Sequence, residues 1–402
     1  MRTSSLPARE GGTAVRSRER FLVFGQPVIG EAEIRGVVDC LERRWIGTGP
    51  KVQEFETAFA AYRQSPYAVA VGSCTAALHL GMLALGIGPG DEVITTALTF
   101  CSSVNAIVHT GARPVLADCE PGTGNLGAAE IEARITPNTR AILIVHLYGR
   151  PCEMDEIMAV AQRHGLRVIE DCAHAIEATY RGRPVGTFGD LGCFSFYVTK
   201  NLTTAEGGMV LTADEALANR IKVLALHGLS KDAWRRFADT GYLHYQVVAA
   251  GFKCNMTDLQ AAMGLAQIPR LEGFSRRRAE IWAAYLDAFA DLPCVLPPPT
   301  PDRMQHAHHL FTPVLRTEAL RISRDEVLDA LTAENIGAGV HYISIPQHPF
   351  YSEVFGWAAD AFPNAEHIGE RTLSLPLSGG LDHADVADIC EAFRRVLVYY
   401  SA

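Results

Sequence analysis

The sequence predicts an α/β fold in which a mostly parallel, seven-stranded sheet is covered by helices on both faces. Two observations predict it: short, strongly apolar runs, and helix-length segments that separate them. Such runs are typical of strands buried on both faces, and alternating strands and helices form parallel sheets. The runs are Val69–Val71, Glu92–Thr95, Pro114–Ala117, Ala141–Val145, Arg167–Glu170, Gly192–Phe196 and Gly208–Thr212.

The chain beyond these runs predicts a smaller α+β domain. A proline-rich stretch at residues 296–301 indicates a linker or an extended edge. After it we expect a strand over Leu310–Arg316, a helix over Ser323–Glu334, a strand containing Val340 and a final helix over Ala384–Tyr399. The element order therefore favours two units of unequal size.

The domain boundaries follow from these patterns. The first 20 residues are polar and arginine-containing, without periodicity, which is typical of a loose tail. We therefore predict a flexible tail over residues 1–20, a large domain over 21–270 and a small C-terminal domain over 271–402.

Composition excludes several classes of protein. The 402 residues carry a formal net charge of −9, and no basic cluster dominates, so we expect no nucleic-acid partner. No apolar run reaches the roughly 18 residues of a membrane span, and the start has no signal-peptide pattern. The ten cysteines stand singly, which favours free thiols in a reducing cytoplasm over disulfides.

One histidine cluster invites a metal interpretation. His306, His308 and His309 begin a predicted strand, where alternate side chains point to opposite faces. No acidic or cysteine partner lies nearby in the sequence, so we predict no metal site.

Reactive side chains follow the predicted strands. In open α/β sheets, ligands bind beyond the carboxyl ends of the strands. The residues found there include an acid, two histidines, hydroxyls, an aromatic ring and a lysine. They are Ser73, Cys74, Thr75, Thr99, Phe100, His146, Asp171, His174, Ser195 and Lys200. The sequence thus predicts an active site at this edge of the sheet.

Four of these positions have a specific chemical interpretation. Lys200 lies in an apolar, aromatic setting, where desolvation lowers the pKa of an amine and makes it a nucleophile and base. Asp171 either caps a helix or keeps a pyridinium nitrogen protonated. Phe100 either belongs to the core or stacks on a flat cofactor. The helix start at Ser73–Ala76 offers free N–H groups to a phosphate.

Six segments together resemble the DegT/DnrJ/StrS family of sugar aminotransferases. The resemblance runs from about Phe24 to the C-terminus, in order and with the spacing of the family. The segments are Trp45–Pro50, Gly86–Thr95, Val145–Gly149, Ile169–Ala175, Phe194–Leu202 and Gly251–Asp258. Membership implies a fold-type I transferase that depends on pyridoxal 5′-phosphate (PLP), with the cofactor in the large domain and an active site at a homodimer interface.

The resemblance also assigns roles to individual residues. Lys200 corresponds to the Schiff-base lysine, and Asp171 to the aspartate that binds the pyridine nitrogen. His174 is expected near the cofactor ring and its phenolic oxygen, and Phe100 is expected to stack on the ring. The residues expected at the phosphate are Cys74, Thr75, Ser195 and, from the neighbouring subunit, Asn255.

Within the family, the chain is most similar to nucleotide-sugar 4-aminotransferases such as the one that makes UDP-4-amino-4-deoxyarabinose. The similarity rests on residues 203–208, 227–236 and 251–258. It implies a UDP- or dTDP-linked 4-keto (6-deoxy) sugar as substrate and glutamate as amino donor. The residues expected to contact the sugar or diphosphate are Arg235, Arg236, His341 and Tyr342. Ile343 stands where the arabinose enzyme has arginine, which departs from that recognition pattern.

Three alternatives stay open at this point. The acceptor could be a 3-keto sugar or a cyclitol ketone such as an inosose. Some relatives dehydrate a keto sugar instead, but they replace the lysine by histidine, and Lys200 argues against that chemistry. A non-catalytic regulator would be expected to lack Lys200 or Asp171, and both are present.

Overall fold

A seven-stranded sheet organises the N-terminal two thirds of the chain. The computed structural model describes residues 6–230 and 245–402. Its strands are β1 (Tyr67–Val71), β2 (Glu92–Thr96), β3 (Arg113–Ala117), β4 (Thr139–Val145), β5 (Arg167–Asp171), β6 (Thr179–Tyr180), β7 (Arg183–Pro184), β8 (Leu191–Ser195), β9 (Gly208–Thr212), β10 (Cys294–Val295), β11 (Met304–Gln305) and β12 (Val314–Leu315). The large sheet has the order β1-β9-β8-β5-β4-β2-β3, so all seven predicted runs are strands of it.

Most strand pairs in this sheet are parallel. Strands β8, β5, β4, β2 and β3 run in one direction, and β9 is antiparallel to both of its neighbours, β8 and β1. The prediction of a mostly parallel sheet is confirmed. The parallel arrangement brings the carboxyl ends of β2, β4, β5 and β8 to one edge.

Helices cover the sheet and build the rest of the chain. They are α1 (Glu31–Glu42), α2 (Pro50–Arg63), α3 (Cys74–Ala84), α4 (Cys101–Thr110), α5 (Ala128–Glu132), α6 (Met154–His164), α7 (Glu215–Ala225), α8 (Asp258–Gln267), α9 (Leu271–Ala288), α10 (Arg324–Ala333), α11 (Pro349–Phe355), α12 (Pro363–Arg371) and α13 (His383–Tyr399). None of the described helices is both long and apolar enough to cross a membrane.

The strands are apolar throughout because the sheet is buried on both faces. In β1, Val69 and Val71 pack into one hydrophobic cluster together with α3, α4 and α7. Ala68 and Ala70 face the opposite way, into a second cluster with α2, α6 and α8. Since neighbouring residues of a strand point to opposite faces, a two-sided core requires apolar residues at every position.

The C-terminal part has its own core but fewer regular strands than predicted. Helices α9, α10 and α13 surround a third hydrophobic cluster around Phe311 and Phe393. Of the predicted strand Leu310–Arg316 only β12 is regular, because Pro313 has no N–H to give to a ladder. Residues around Val340 form an isolated bridge at Gly339 instead of a strand. The two predicted helices are present as α10 and α13.

The N-terminal segment is bound where a loose tail was expected. The N–H groups of Ala8 and Val15 donate to the Glu334 carboxylate at 2.8 Å each. Arg16 forms ion pairs with Asp385 and Asp388 at 2.9 and 2.7 Å. These contacts join residues more than 300 positions apart in the sequence. The tail prediction rested on a local sequence pattern, which cannot reveal contacts at such a distance.

Candidate active site

A cavity of about 520 Å³ opens at the carboxyl edge of the large sheet. Nine of the predicted site residues line it: Cys74, Thr75, Phe100, Asp171, His174, Ser195, Lys200, His341 and Tyr342. Asn255 is absent from this lining, and Arg235 and Arg236 lie outside the described residues. The cavity therefore lies beyond the carboxyl ends of the strands, where the sequence predicted an active site. The C-terminal part completes its lining with His341 and Tyr342.

Asp171 ends β5 and is buried at the base of the cavity, with only 3% of its surface exposed. Ser103 donates its hydroxyl to Oδ2 at 2.9 Å, and the N–H of Ala173 donates to Oδ1 at 3.1 Å. Burial raises the pKa of the carboxyl above its ordinary value, while these two hydrogen bonds and the Lys200 charge oppose the rise. Asp171 is thus a fixed acceptor that faces the cavity with few other partners.

Lys200 lies in the loop after β8, where its N–H closes a turn onto the carbonyl oxygen of Tyr197 at 2.9 Å. Among the described residues, no carboxylate lies within ion-pair distance of its amine. Desolvation lowers the pKa of Lys200 to about 8, against the smaller opposing effects of Cys74 and Asp171. Near neutral pH an amine of this kind is neutral far more often than an ordinary lysine, and its neutral form can act as a nucleophile.

His174 is held in one tautomer. The N–H of Tyr148 donates to Nδ1 at 3.2 Å, so the proton of the neutral ring lies on Nε2. That atom is 3.0 Å from the Tyr342 hydroxyl, which therefore accepts from it. Burial lowers the pKa of His174 well below its ordinary value, so the ring is neutral. The proton of Tyr342 remains free to point into the cavity.

Phe100 and Tyr342 form an aromatic wall. Phe100 precedes α4 and has 54% of its surface exposed, which is unusual for phenylalanine and leaves one ring face open to the cavity. The two rings are 5.7 Å apart at an angle of 42°. Two hydrogen bonds hold His341 in place. The Tyr148 hydroxyl donates to the carbonyl oxygen of His341 at 2.6 Å, and Nδ1 of His341 lies 2.8 Å from the Ser374 hydroxyl.

The start of α3 forms an anion-binding surface. Ser73 caps the helix by accepting from the N–H of Ala76 at 3.1 Å. The N–H groups of Cys74 and Thr75 have no acceptor among the described residues and form the positive end of the helix dipole. Gly208 allows β9 to begin against this turn, since a Cβ there would lie 2.4 Å from the carbonyl carbon of Ser73.

Asn255 pairs with Val71, close to this turn, in an isolated bridge. Its Nδ2 donates to the Thr48 hydroxyl at 2.5 Å. The loop that carries Thr48 is fixed by Asp258, whose buried carboxylate accepts from the N–H groups of Gly49 and Val52 at 2.8 and 3.0 Å. The Asn255 side chain is therefore bound to this loop and does not line the cavity of its own chain.

Two histidine-containing clusters lie outside this cavity. His306 and His308 pack against Trp282, each ring 4.9 Å from the indole. A second cluster joins His146, Glu170 and Cys172 within 4.8 Å. There, His146 Nδ1 accepts from the N–H of Cys152 and its Nε2 lies 3.1 Å from Glu170. Glu170 also accepts three backbone N–H bonds, from Gly186, Phe188 and Gly189.

Comparison with known proteins shows the family to which the chain belongs. The DegT/DnrJ/EryC1/StrS aminotransferase family matches residues 27–394. The chain belongs to this family. Over 384 residues it is 48% identical to the spore coat polysaccharide biosynthesis protein SpsC of Bacillus subtilis, covering 95% of this chain and 99% of that protein. The resemblance inferred from the sequence motifs is confirmed.

Solved structures agree with this assignment. Spr1654 of Streptococcus pneumoniae, in its PLP form, has a TM-score of 0.87 at 32% identity and covers 94% of this chain and 99% of its own. DesI, solved in the presence of its TDP-sugar product, has a TM-score of 0.82 at 32% identity and covers 97% of each chain. The protein is thus a fold-type I, PLP-dependent sugar aminotransferase, and the predicted cofactor and enzyme class are confirmed.

The residues that line the cavity fit PLP. The volume lies in the range of about 300–1,000 Å³ that is common for small-molecule sites. The cavity offers a carboxylate for a pyridinium nitrogen, an amine of lowered pKa for an aldehyde, and an exposed phenyl ring for a flat heterocycle. The free N–H groups at the start of α3 suit a phosphate. Each chemical feature of the cofactor therefore has a partner of the right kind.

Several features of the aminotransferase site were not predicted from the sequence. Ser103 binds the Asp171 carboxylate from the first turn of α4, and Tyr148 sets the tautomer of His174 through its backbone. Gly207 lines the cavity in the loop before β9. A hydroxyl in the first turn after a strand end could have indicated Ser103. The Tyr148 contact is made by the main chain and has no side-chain signal.

Proposed function

We propose that the aminotransferase converts a nucleotide-linked 4-keto sugar into the 4-amino sugar, with glutamate as the amino donor. The observation that carries the proposal is the single cavity that holds Lys200, Asp171 and the anion-binding start of α3. The 4-keto position and the nucleotide rest on the sequence similarity to 4-aminotransferases. The TDP-sugar product of DesI supports a nucleotide-linked substrate for this chain.

The side chains that line the cavity have different roles in the proposed transamination. Bound PLP supplies an electron sink for the carbon that loses its proton. Lys200 would hold the cofactor through its amine, and the same amine, once released, would carry the proton to and from the substrate carbon. The Asp171 carboxylate would keep the pyridine nitrogen protonated. Phe100 would pack on the ring, and Cys74, Thr75 and Ser195 would bind the phosphate.

His174 and the C-terminal residues orient rather than react. His174 would adjoin the ring of the bound cofactor, and its Nε2 proton directs the Tyr342 hydroxyl. We assign His341 and Tyr342 to the sugar or its diphosphate, because the C-terminal part carries them into the same cavity. Arg235 and Arg236 keep their predicted role as diphosphate contacts.

A panel of keto sugars tests the substrate. The enzyme should convert UDP- or dTDP-linked 4-keto 6-deoxy sugars with glutamate, and mass spectrometry should detect the amino sugar together with oxoglutarate. The panel includes 3-keto sugars and an inosose as competing acceptors. Conversion of a 3-keto sugar or the inosose alone would contradict the proposed 4-amination while leaving the aminotransferase chemistry intact.

We further propose a homodimer with Asn255 reaching the phosphate in the partner's cavity. Asn255 does not line its own cavity, and the loop it binds carries the exposed apolar side chains Trp45 and Ile46. Such exposed apolar residues beside a functional loop are typical of an interface. We also retain the cytoplasm as the predicted location, because all ten cysteines are free thiols.

Subunit complementation tests the shared site. Lys200→Ala and Asn255→Ala should each be impaired, but mixing and refolding them together should restore activity. In a mixed dimer one site carries both substitutions and the other carries neither. If mixtures show no more activity than the sum of the separate variants, each chain uses its own Asn255 or none, and the shared site is wrong.

The rate of PLP uptake should rise with pH and level off about one unit above pH 8. Only the neutral amine attacks the aldehyde, and desolvation lowers the pKa of Lys200 to about 8. Below that value the amine is protonated and unreactive, and above it the neutral form predominates. Stopped-flow absorbance on the apoprotein measures this rate. A rate that climbs steadily to pH 10, as expected for an unperturbed lysine of pKa about 10.4, would contradict the assignment.

Replacing Phe100 by leucine should weaken PLP binding about 3- to 10-fold. Leucine keeps an apolar contact but removes the flat ring, and aromatic stacking contributes about 0.5–1.5 kcal/mol. Equilibrium dialysis of PLP against the apoprotein measures the change. Phe350→Leu is the matched control, because Phe350 is equally exposed at 52% and lies outside the cavity lining. Equal affinities for both variants would exclude stacking by Phe100.

A further inference from the structure

The residue after Lys200 is the centre of a buried hydrogen-bond network. Asn201 donates through Nδ2 to Glu177 Oε2 at 2.8 Å and to the carbonyl oxygen of Ala307 at 3.1 Å. Its Oδ1 lies 2.9 Å from His309 Nδ1. Since both partners of Nδ2 are acceptors and Oδ1 can only accept, the His309 proton lies on Nδ1. Both N–H groups on Nδ2 of Asn201 therefore have an acceptor, and its Oδ1 has a donor.

The network is anchored by a buried ion pair. Glu177, 3% exposed, binds the guanidinium of Arg278, which is 2% exposed and lies on α9. Arg278 also donates through Nε to the carbonyl oxygen of Ala307 at 3.4 Å. Separating the two side chains would leave an uncompensated charge in the interior, so a buried pair of this kind holds its geometry. Asn201 is therefore attached to a rigid support outside the sheet.

His309 connects this network to the other side of the cavity. Its ring lies 4.5 Å from the ring of His174, at an angle of 34°. Burial lowers the pKa of His309 well below its ordinary value, so the ring is neutral. His309 thus contacts the residue that follows Lys200 through Nδ1 and supports His174 through its ring face.

We propose that Asn201 and His309 are positioning residues that fix the Lys200 loop and the His174 ring relative to each other. The proposal rests on the proposed role of Lys200 as the covalent anchor and proton carrier. A proton transfer requires donor and acceptor within hydrogen-bond reach, and a displacement of about 1 Å can lower a rate by about 10²-fold. The network restrains the main chain directly beside Lys200, where such a displacement would arise.

Substitutions on both sides of the Asn201–His309 hydrogen bond test the proposal. Asn201→Ala and His309→Leu should each lower kcat about 10- to 100-fold, with the KM for the keto sugar changed less than about twofold. His309→Asn places a side-chain N–H where Nδ1 lies in histidine, and should recover most of the loss. The double variant should be no worse than the poorer single variant, because both remove the same interaction.

Two further measurements separate positioning from a merely structural role. The rate of PLP uptake by the apoprotein should fall in Asn201→Ala as kcat does. Tyr285→Phe, which removes a buried hydrogen bond to Pro376 in the C-terminal core, should lower Tm without changing either rate. If Asn201→Ala and His309→Leu lower Tm but keep both rates within about twofold of wild type, the proposal is overturned. Lys200→Ala reports on the proposed function independently of these variants.

Discussion

Replacing Lys200 by alanine should abolish turnover while leaving PLP able to bind. Lys200 serves as both covalent anchor and proton carrier, and a general base alone contributes about 10²–10⁴-fold, so we expect a loss of at least about 10⁴-fold. The phosphate contacts at the start of α3 and the Phe100 face remain in the variant. Absorbance spectra should show the bands of free PLP without the visible band of the covalent complex.

Lys222→Ala is the matched control for this experiment. Lys222 pairs with Glu56 at 2.8 Å on the outside of the sheet and lies outside the cavity lining, so its loss should leave the spectrum and kcat unchanged. If Lys200→Ala kept the visible band, another amine would hold the cofactor and the assignment would be wrong.

Replacing Asp171 by asparagine should lower kcat by about 10²- to 10³-fold, the usual effect of losing one group that stabilises developing charge. Asparagine keeps the shape of the side chain but cannot keep the pyridine nitrogen protonated. The electron sink is then weaker at the moment the proton leaves the substrate carbon. The measurement is kcat for each half-reaction, with glutamate and with the keto sugar.

Both half-reactions should slow together in Asp171→Asn, because both pass through the same proton transfer. Asp155→Asn is the control, since Asp155 pairs with Arg181 on the surface at 2.7 Å. A variant that weakened only sugar binding, with kcat unchanged, would place Asp171 among the substrate contacts instead of at the cofactor.

The fold was predictable where burial requires apolar residues at successive positions of the sequence. Each strand of the large sheet is buried on both faces, so its apolar run is visible without any knowledge of its neighbours. The C-terminal part was harder to predict. There Phe311 pairs with Leu375, and Val314 with Thr372, in isolated bridges on either side of Pro313. A buried but irregular segment has the same composition as a strand.

The site was predictable where the chain itself brings residues together at strand ends. Asp171 ends β5 and Lys200 follows β8, and these two strands are neighbours in the sheet. Contacts made through the main chain, or between distant segments, leave no local pattern. The hydrogen bond from Tyr148 to His174 and the link from Asn201 to His309 belong to this group. The first depends on the backbone course between β4 and β5, and the second joins residues 108 positions apart.

The most direct test of the account is to map the lysine that holds the cofactor. Borohydride reduction of the holoenzyme fixes PLP on the amine to which it is bound, and proteolysis with mass spectrometry then locates the label. We expect the label on the peptide that contains Lys200, and its loss when glutamate is added before reduction. A label on any other lysine, or one that glutamate does not remove, would contradict the central assignment.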